Sequence, residues 1–344
     1  MQPLLAKLRA SKSVDLVGLG LVGLVVFWLV VNLVKDPAQF VNVALIGLTN
    51  GAIYGIVALG YTLVYGILQL INFAHGDVFA LSGLFASTVI IRLLGLDESS
   101  GVPAIVGGML VTLVIVMTLF AVVNATIERV AYKPLRRAPR LAPLITAIGM
   151  SFIVQNIALA FYDVNYRTVP DFIPRTAVFD VAGVSYTWNK LAAIMIVVPV
   201  LVALTWFVRK TKQGKAMRAV AQDTEAAAMM GIDVNRTISI TFMLAGALAG
   251  AAAIVYLLQF NMRYDTGFEL GLIAFTAAVL GGIGNLTGAV VGAVLIGLIQ
   301  AFNEGLNWLA PGSDWTRSIV FGILILILVF RPEGILGEQT PEGA

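Results

Sequence analysis

The sequence predicts an all-α protein, a polytopic transmembrane helical bundle of about 8–10 spans with room for re-entrant half-helices. Three observations carry that expectation. Of the 344 residues, 59% are hydrophobic and only 12% charged, whereas a soluble domain carries roughly 25% charged residues to cover its surface. Apolar runs of about 20 residues, the length that crosses a bilayer, recur along almost the whole chain. Thirty-four glycines supply the small contacts through which membrane helices approach closely. With no cysteine in the chain, disulfides and thiolate metal sites are excluded.

The elements follow in order. The run 14–34 comes after Lys7, Arg9 and Lys12, as a signal peptide would. It is longer than a usual signal core and lacks a convincing small-residue cleavage site, so we read it as a retained span. Further spans are expected near 40–60, 76–94, 103–124, 141–162, 190–208, 237–259, 269–283, 286–305 and 317–330. The stretch 62–73 is too short to cross. This divides the chain into an N-terminal segment with an extra span (1–39), a main membrane domain (40–337) and a short tail (338–344).

Basic residues orient the bundle, because Lys and Arg concentrate on the cytoplasmic side. With the N-terminus inside, 15 of the 22 Lys and Arg fall on inside segments. They are Lys7, Arg9 and Lys12; Arg129, Lys133, Arg136, Arg137 and Arg140; Arg209, Lys210, Lys212, Lys215, Arg218 and Arg236; and Arg331. The other seven, Lys35, Arg92, Arg167, Arg175, Lys190, Arg263 and Arg317, spread over five outside segments. Both termini are then cytoplasmic. The longest outside segment, 163–189, is expected to carry a short helix or a hairpin around "FDVAGVSYTW".

One cytoplasmic stretch, "AQDTEAAAMMGIDVNR" (221–236), spells a bounded helix. Asp223 or Thr224 can serve as N-cap, and Glu225 complements the helix dipole. Ala226, Ala227, Ala228, Met229 and Met230 favour helix, and Gly231 suits the left-handed residue that ends one. A membrane-surface anchor is usually longer, with bulky apolar residues on one face. A short, small-faced, capped helix instead fits a groove on another protein. The basic run 209–218 suits anchorage of a span end at anionic lipid.

"EAAAMMG" at 225–231 resembles the Glu-Ala-Ala-x-x-x-Gly cytoplasmic motif of bacterial ABC importer permeases, which docks into the ATPase subunit. "GLTNGAIYGIVALGYTLVYGILQLINFAHGD" (47–77), "AFTAAVLGGIGNLTGAVVG" (274–292) and "LVFRPEGILG" (328–337) resemble the branched-chain amino-acid permease family. The resemblance is to the first of the two permease subunits of leucine/isoleucine/valine importers, and it covers about 40 to 337. It implies a bacterial inner-membrane permease that moves branched-chain or other neutral amino acids. The implied partners are ABC ATPase subunits, which use the ATP, a second permease subunit and a solute-binding protein outside. Thr224, Glu225, Ala226, Ala227, Met230 and Gly231 are the implied coupling residues. Urea and short-chain amide permeases share the family, so the cargo stays open at this point. The first span and the long 163–189 loop depart from the compact family pattern.

Two polar stretches interrupt apolar sequence, and polar groups at membrane depth usually face a cavity or the bundle interior. The first contains Gln69, Asn72, His75 and Asp77; the second contains Gly282, Gly284 and Asn285. Each reads either as part of a translocation path or as a turn at the cytoplasmic end of a span. They occupy comparable places in the two halves, as expected of a transporter built from repeats. Lone His75 has no second soft ligand nearby, so no metal site is expected. Asp265 and Glu269 are outside loop charges, solvated or available to a binding protein.

No G-x-x-x-x-G-K-[ST] loop or hydrolytic constellation occurs. The chain is therefore expected to be no enzyme, with no catalytic residues and no cofactor of its own. No nucleic-acid partner is expected; membrane lipid is. An ion-coupled secondary transporter is the alternative of another class. It is disfavoured because nearly every charge falls at a span end or in a loop, whereas such proteins place ionisable groups deep in spans.

Overall fold

The computed structural model describes residues 20, 23–136, 138–139, 141–174, 176–331 and 333–337. Lys7, Arg9, Lys12, Arg137, Arg140, Arg175, the opening residues of the 14–34 span and the 338–344 tail lie outside them. Among the described residues, eight helices are long and apolar enough to cross a bilayer, and two shorter apolar helices complete the ten expected segments. The first five are α1 (Gly23–Lys35), α2 (Pro37–Leu68), α3 (Ala74–Thr88), α4 (Val102–Ile127) and α5 (Leu141–Tyr162). There follow α6 (Trp188–Lys210), the short helices α7 (Lys212–Gln222) and α8 (Thr224–Met229), then α9 (Val234–Leu257), α10 (Thr266–Gly281), α11 (Leu286–Gly305) and α12 (Thr316–Phe330). The chain has the architecture of a multi-pass membrane protein.

The centre is α2. Asp36 caps it by accepting the Gln39 N–H (3.0 Å), and Pro37 takes the first helical position, where no N–H is needed. Its 32 residues extend about 48 Å at 1.5 Å per residue. The expected 40–60 span is thus too short: residues 62–68 are the last two turns of the same helix, which stops only where Gln69 turns left-handed (φ 52°). Gly47 and Gly51 lie directly on α11. A Cβ at Gly51 would stand 2.7 Å from Val294 Cα, and one at Gly297 would stand 2.4 Å from the Gly51 nitrogen. Helices α2, α3 and α9 are mostly buried. By contrast α4, α5, α6 and α12 ring the outside and expose Leu, Ile, Val and Phe. So much exposed apolar surface suits lipid or another membrane subunit and is untenable in water.

Two connections turn back into the interior. Near the C-terminal end of α2, Gly66 lies against Gly284. Yet the His75 ring fills the notch left by Gly60, which stands about 9 Å further up the helix at 1.5 Å per residue. Residues 69–73 therefore climb back along α2, and α3 starts at half depth. Residues 72–77 are thus set back from the end of α2 and lie among the helices. After α9 the same device recurs with opposite sense. Residues 258–265 fold inward, so that Met262 and Ala253 both lie against Gly83 of α3, and α10 then begins at Thr266.

The two half-depth helices meet through glycine. A Cβ at Gly76 would be 2.3 Å from the Gly267 carbonyl oxygen and 2.8 Å from Gly271 Cα. One long buried helix, a return and a half-depth helix start thus occur in each half, in opposite directions, as in inverted-repeat transporters. The partner of 69–77 in this arrangement is 258–267. It is not 281–288, the pairing expected from glycine content, because those glycines serve a different contact described below.

The long 163–189 connection forms the hairpin. Its strands are β1 (Ala177–Val181) and β2 (Val184–Thr187), joined at Ala182 and Gly183 with φ of 52° and 80°, the two-residue turn with positive φ at both positions. Asn42 on α2 holds it from both sides, donating to the Gly183 carbonyl (2.8 Å) and accepting the Ser185 N–H (2.9 Å). Tyr186 closes the contact through its hydroxyl with Thr49 (2.9 Å).

Candidate functional site

One end of the bundle is built from α7 and α8. Thr211 caps α7 by accepting the Gly214 N–H (3.0 Å), and Met217 and Val220 bury its apolar side. The basic run 209–218 is therefore mostly a helix packed on the bundle. Within it Arg218 donates to the Val208 carbonyl and Arg209 to the Thr287 hydroxyl (3.1 Å).

Asp223, not Thr224, caps α8: its Oδ1 accepts the N–H groups of Glu225 and Ala226, each at 2.9 Å. Thr224 instead donates back to the Val220 carbonyl (3.2 Å). At the other end Gly231 takes φ +81°. The Ile232 N–H reaches the Ala227 carbonyl (3.1 Å) and the Gly231 N–H the Ala228 carbonyl (3.0 Å), the paired bonds of a Schellman stop.

A helix this short has no independent stability. It persists because both ends are capped and Ala227 is seated in the core with Ile232 against it. Ala227 thus faces its own chain, and its buried methyl helps to fasten α8 down. What α8 presents outward is Thr224, Glu225, Ala228 and above all Met229 and Met230, exposed by 82% and 83%.

At half depth, α3 begins with Asn72, His75 and Asp77, all buried. Asn72 Oδ1 accepts the Tyr132 hydroxyl (2.8 Å), while its Nδ2 has no partner. The His75 ring meets Tyr61 edge-on (centroids 4.8 Å apart, planes at 79°). Neither ring nitrogen makes a regular hydrogen bond, although the Val57 carbonyl faces the ring. Thr62 Oγ1, one residue on from Tyr61, is also buried without a partner.

Two residues past His75, Asp77 points elsewhere, since such neighbours do not share a helix face. Its carboxylate accepts the Ser151 hydroxyl and the Gln155 amide (2.9 Å), both from α5. Asp77 and Glu128, which follows the last residue of α4, are both carboxylates buried in the interior. Each is tolerated because hydrogen bonds satisfy its oxygens.

The remaining candidates lie apart from this cluster. Gln69 is the exposed residue that ends α2. Gly282, Gly284 and Asn285 form the turn between α10 and α11 and do not join the half-depth residues. Asn285 caps α11 through the Gly288 N–H (3.0 Å) and donates to the Leu336 carbonyl (2.8 Å). The 333–337 segment packs over this turn: Ile335 N–H bonds the Leu280 carbonyl (2.8 Å) and Leu336 N–H the Gly281 carbonyl (3.0 Å). Gly282, at φ +105°, has Gly337 where a Cβ would stand. Gly282 therefore serves a clasp by 333–337, while Gly281 and Gly288 let α10 and α11 meet backbone to backbone.

In the return before α10, Asp265 pairs with Arg263 (2.5 and 2.6 Å), and on α10 itself Glu269 pairs with Arg317 (2.7 Å twice). Among the described residues no three His, Asp or Glu converge as a metal site.

The family model described as "Branched-chain amino acid transport system / permease component" matches residues 43–329. The chain belongs to that family. It is 38% identical over 308 residues to the high-affinity branched-chain amino acid transport system permease protein BraD of Pseudomonas aeruginosa, covering 88% of this chain and 96% of the relative. It is 35% identical over 301 residues to LivH of Escherichia coli, of the same description, covering 86% and 95%. A probable LivH from Methanocaldococcus jannaschii is 28% identical over 295 residues, covering 82% and 88%. No solved structure matches the chain.

Sequence reasoning missed Tyr61, Thr62, Glu128, Tyr132, Ser151 and Gln155. Ser151 and Gln155 had a signal, since polar residues at i and i+4 share one face of a helix. Glu128 was a lone carboxylate near the end of an apolar run. Tyr61 and Thr62 had none, because their role depends on the return of 69–73.

Proposed function

We propose that this permease is one of two membrane subunits of an ATP-driven importer for branched-chain amino acids in the bacterial inner membrane, with both termini cytoplasmic. ATP hydrolysis then takes place in separate ATPase subunits, and a solute-binding protein delivers cargo from outside. The observation that carries the coupling role is α8 itself: a doubly capped helix fastened by one buried alanine, with two methionines almost fully exposed beside it. Methionine side chains adapt to irregular partner surfaces, so α8 fits a groove on the ATPase.

ATP binding draws two ATPase subunits together, and α8 carries that movement into α9, which begins at Val234, five residues after α8 ends. The half-depth meeting of α3 and α10 is the place for the cargo to pass. Asn72, His75 and Thr62 there hold buried polar atoms without regular partners, able to bond cargo or one another when the helices separate. Glycine and apolar surroundings suit an aliphatic side chain, and the relatives named for branched-chain amino acids favour that cargo over urea or amides.

The test is co-purification and uptake. The tagged chain, extracted gently from its native membrane, should bring down an ATPase and a second permease. Vesicles should take up leucine with ATP, and unlabelled valine should compete where urea does not. Solute movement by the isolated chain without ATP would overturn the reading and favour ion coupling.

A further inference from the structure

Two sets of side-chain contacts, joined through the backbone turn that carries Glu128 and Tyr132, run from the start of α9, next to α8, to the half-depth polar cluster. We propose that Glu128, Arg136 and Tyr132 form a positioning link that makes the return segment 69–73 follow α8. This rests on the coupling role proposed for α8.

The line begins at Asn235 and Ser239 in the first two turns of α9. Asn235 Oδ1 accepts from Arg136 Nη1 (2.7 Å). The other guanidinium nitrogen, Nη2, pairs with Glu128 Oε1, and Glu128 Oε2 accepts the Ser239 hydroxyl (2.7 Å). One fully buried carboxylate thus holds two elements: the end of α4, through Arg136, and the start of α9, through Ser239. Both its oxygens are used.

The backbone at this point is unusual. After Ile127, α4 widens into a π-helical turn over Glu128–Tyr132, a feature frequently found at functional sites. The turn directs Glu128 toward α9. Tyr132, at its far end, reaches Asn72 with its hydroxyl. The Tyr132 ring also lies 5.5 Å from Phe242 of α9, and Asn124 donates to the Phe242 carbonyl (2.7 Å). The end of α4 and the first turns of α9 therefore move as one body. That body holds the return segment by one hydrogen bond, to an Asn72 whose Nδ2 is otherwise unpartnered.

The chemistry suits transmission. A buried, charge-assisted pair fixes register between helices more sharply than apolar contact, which slides. Spatial continuity alone does not establish coupling; the energetic test does.

The experiment uses the intact transporter, reconstituted with its ATPase, second permease and binding protein. It measures uptake, ATP hydrolysis and ATPase co-purification in Tyr132→Phe, Glu128→Gln and the double variant. Tyr132→Phe removes one hydroxyl and leaves the ring, so it keeps the test decisive if Glu128→Gln fails to insert. With the ATPase still bound and hydrolysis near wild type, solute moved per ATP should fall by about fivefold or more, the range of typical coupling energies. The double variant should be no worse than the worse single one, because both break the same line. Arg136→Lys, which keeps the charge but not the fork, should retain part of the coupling that Arg136→Gln loses.

Unchanged solute per ATP in Tyr132→Phe would overturn the link, as would additive losses in the double variant. Failure of the underlying reading looks different: the ATPase would then not bind the wild-type chain, or would bind the Gly231→Val variant equally well.

Discussion

Gly231→Val isolates the energetic role of a single backbone conformation. Gly231 sits at φ +81°, and a Cβ built there meets no atom within 4 Å. The substitution therefore causes no clash; its cost is conformational, about 1–2 kcal/mol for an L-residue held left-handed and more for a β-branched one. A six-residue helix with one seated alanine has little reserve, so most of that cost falls on the local equilibrium between formed and frayed α8. A shift of about 1.4 kcal/mol is tenfold in that equilibrium. Uptake at equal membrane levels should fall by about threefold to thirtyfold, with less ATPase retained on purification and no change in the thermal stability of the bundle. Gly231→Asn is the control, because Asn tolerates the left-handed region, and it should stay close to wild type. Uptake in Gly231→Val equal to that in Gly231→Asn, with the ATPase retained in both, would refute the reasoning.

Three further substitutions probe other joints. Asp223→Ala removes the two bonds at the other end of α8, at a cost of about 1 kcal/mol; ATPase retention should drop in a pull-down, and Asp223→Ser should restore most of it. Gly297→Leu forces a side chain against the Gly51 backbone, where neither helix can yield. The extracted protein should melt well below wild type or fail to accumulate, as read by fluorescence-detected size exclusion. Gly76→Ala pushes a methyl toward the Gly267 carbonyl and should part α3 from α10. Uptake should be lost while the ATPase still co-purifies, and full uptake would mean the two helix starts need not touch.

The spans were legible because a bilayer imposes a one-dimensional rule: about 20 apolar residues, then charge. That rule recovers ten segments, but it cuts α2 short at residue 60 and misplaces what bends back. Residues 69–73 and 258–265 carry no composition that distinguishes a return from a surface turn. What marks them is that Gly60 accepts the His75 ring and Gly76 accepts the Gly267 backbone, and both facts belong to pairs of residues far apart in the chain. The α8 helix was legible for the opposite reason. Its caps, its helix formers and its stop all lie within nine residues, Asp223 to Gly231, so local chemistry specifies it almost completely. Only the burial of Ala227 required the fold.

Glycine shows the same division. At Gly231 it answers a local demand, a positive φ with open space around it. At Gly51, Gly76, Gly267 and Gly297 it answers a distant one, where two backbones come too close for any side chain. Counting glycines found the membrane packing but paired the wrong stretches, since 281–288 is as glycine-rich as a transport site while serving a clasp under Ile335 and Leu336. The two kinds of site also place opposite demands on the chain. The clasp and the α2–α11 seam are closed by backbone contact and resist change. The half-depth meeting leaves Thr62, Asn72 and His75 with unspent hydrogen-bonding capacity, which is costly in a static interior and intelligible in a helix pair that has to open.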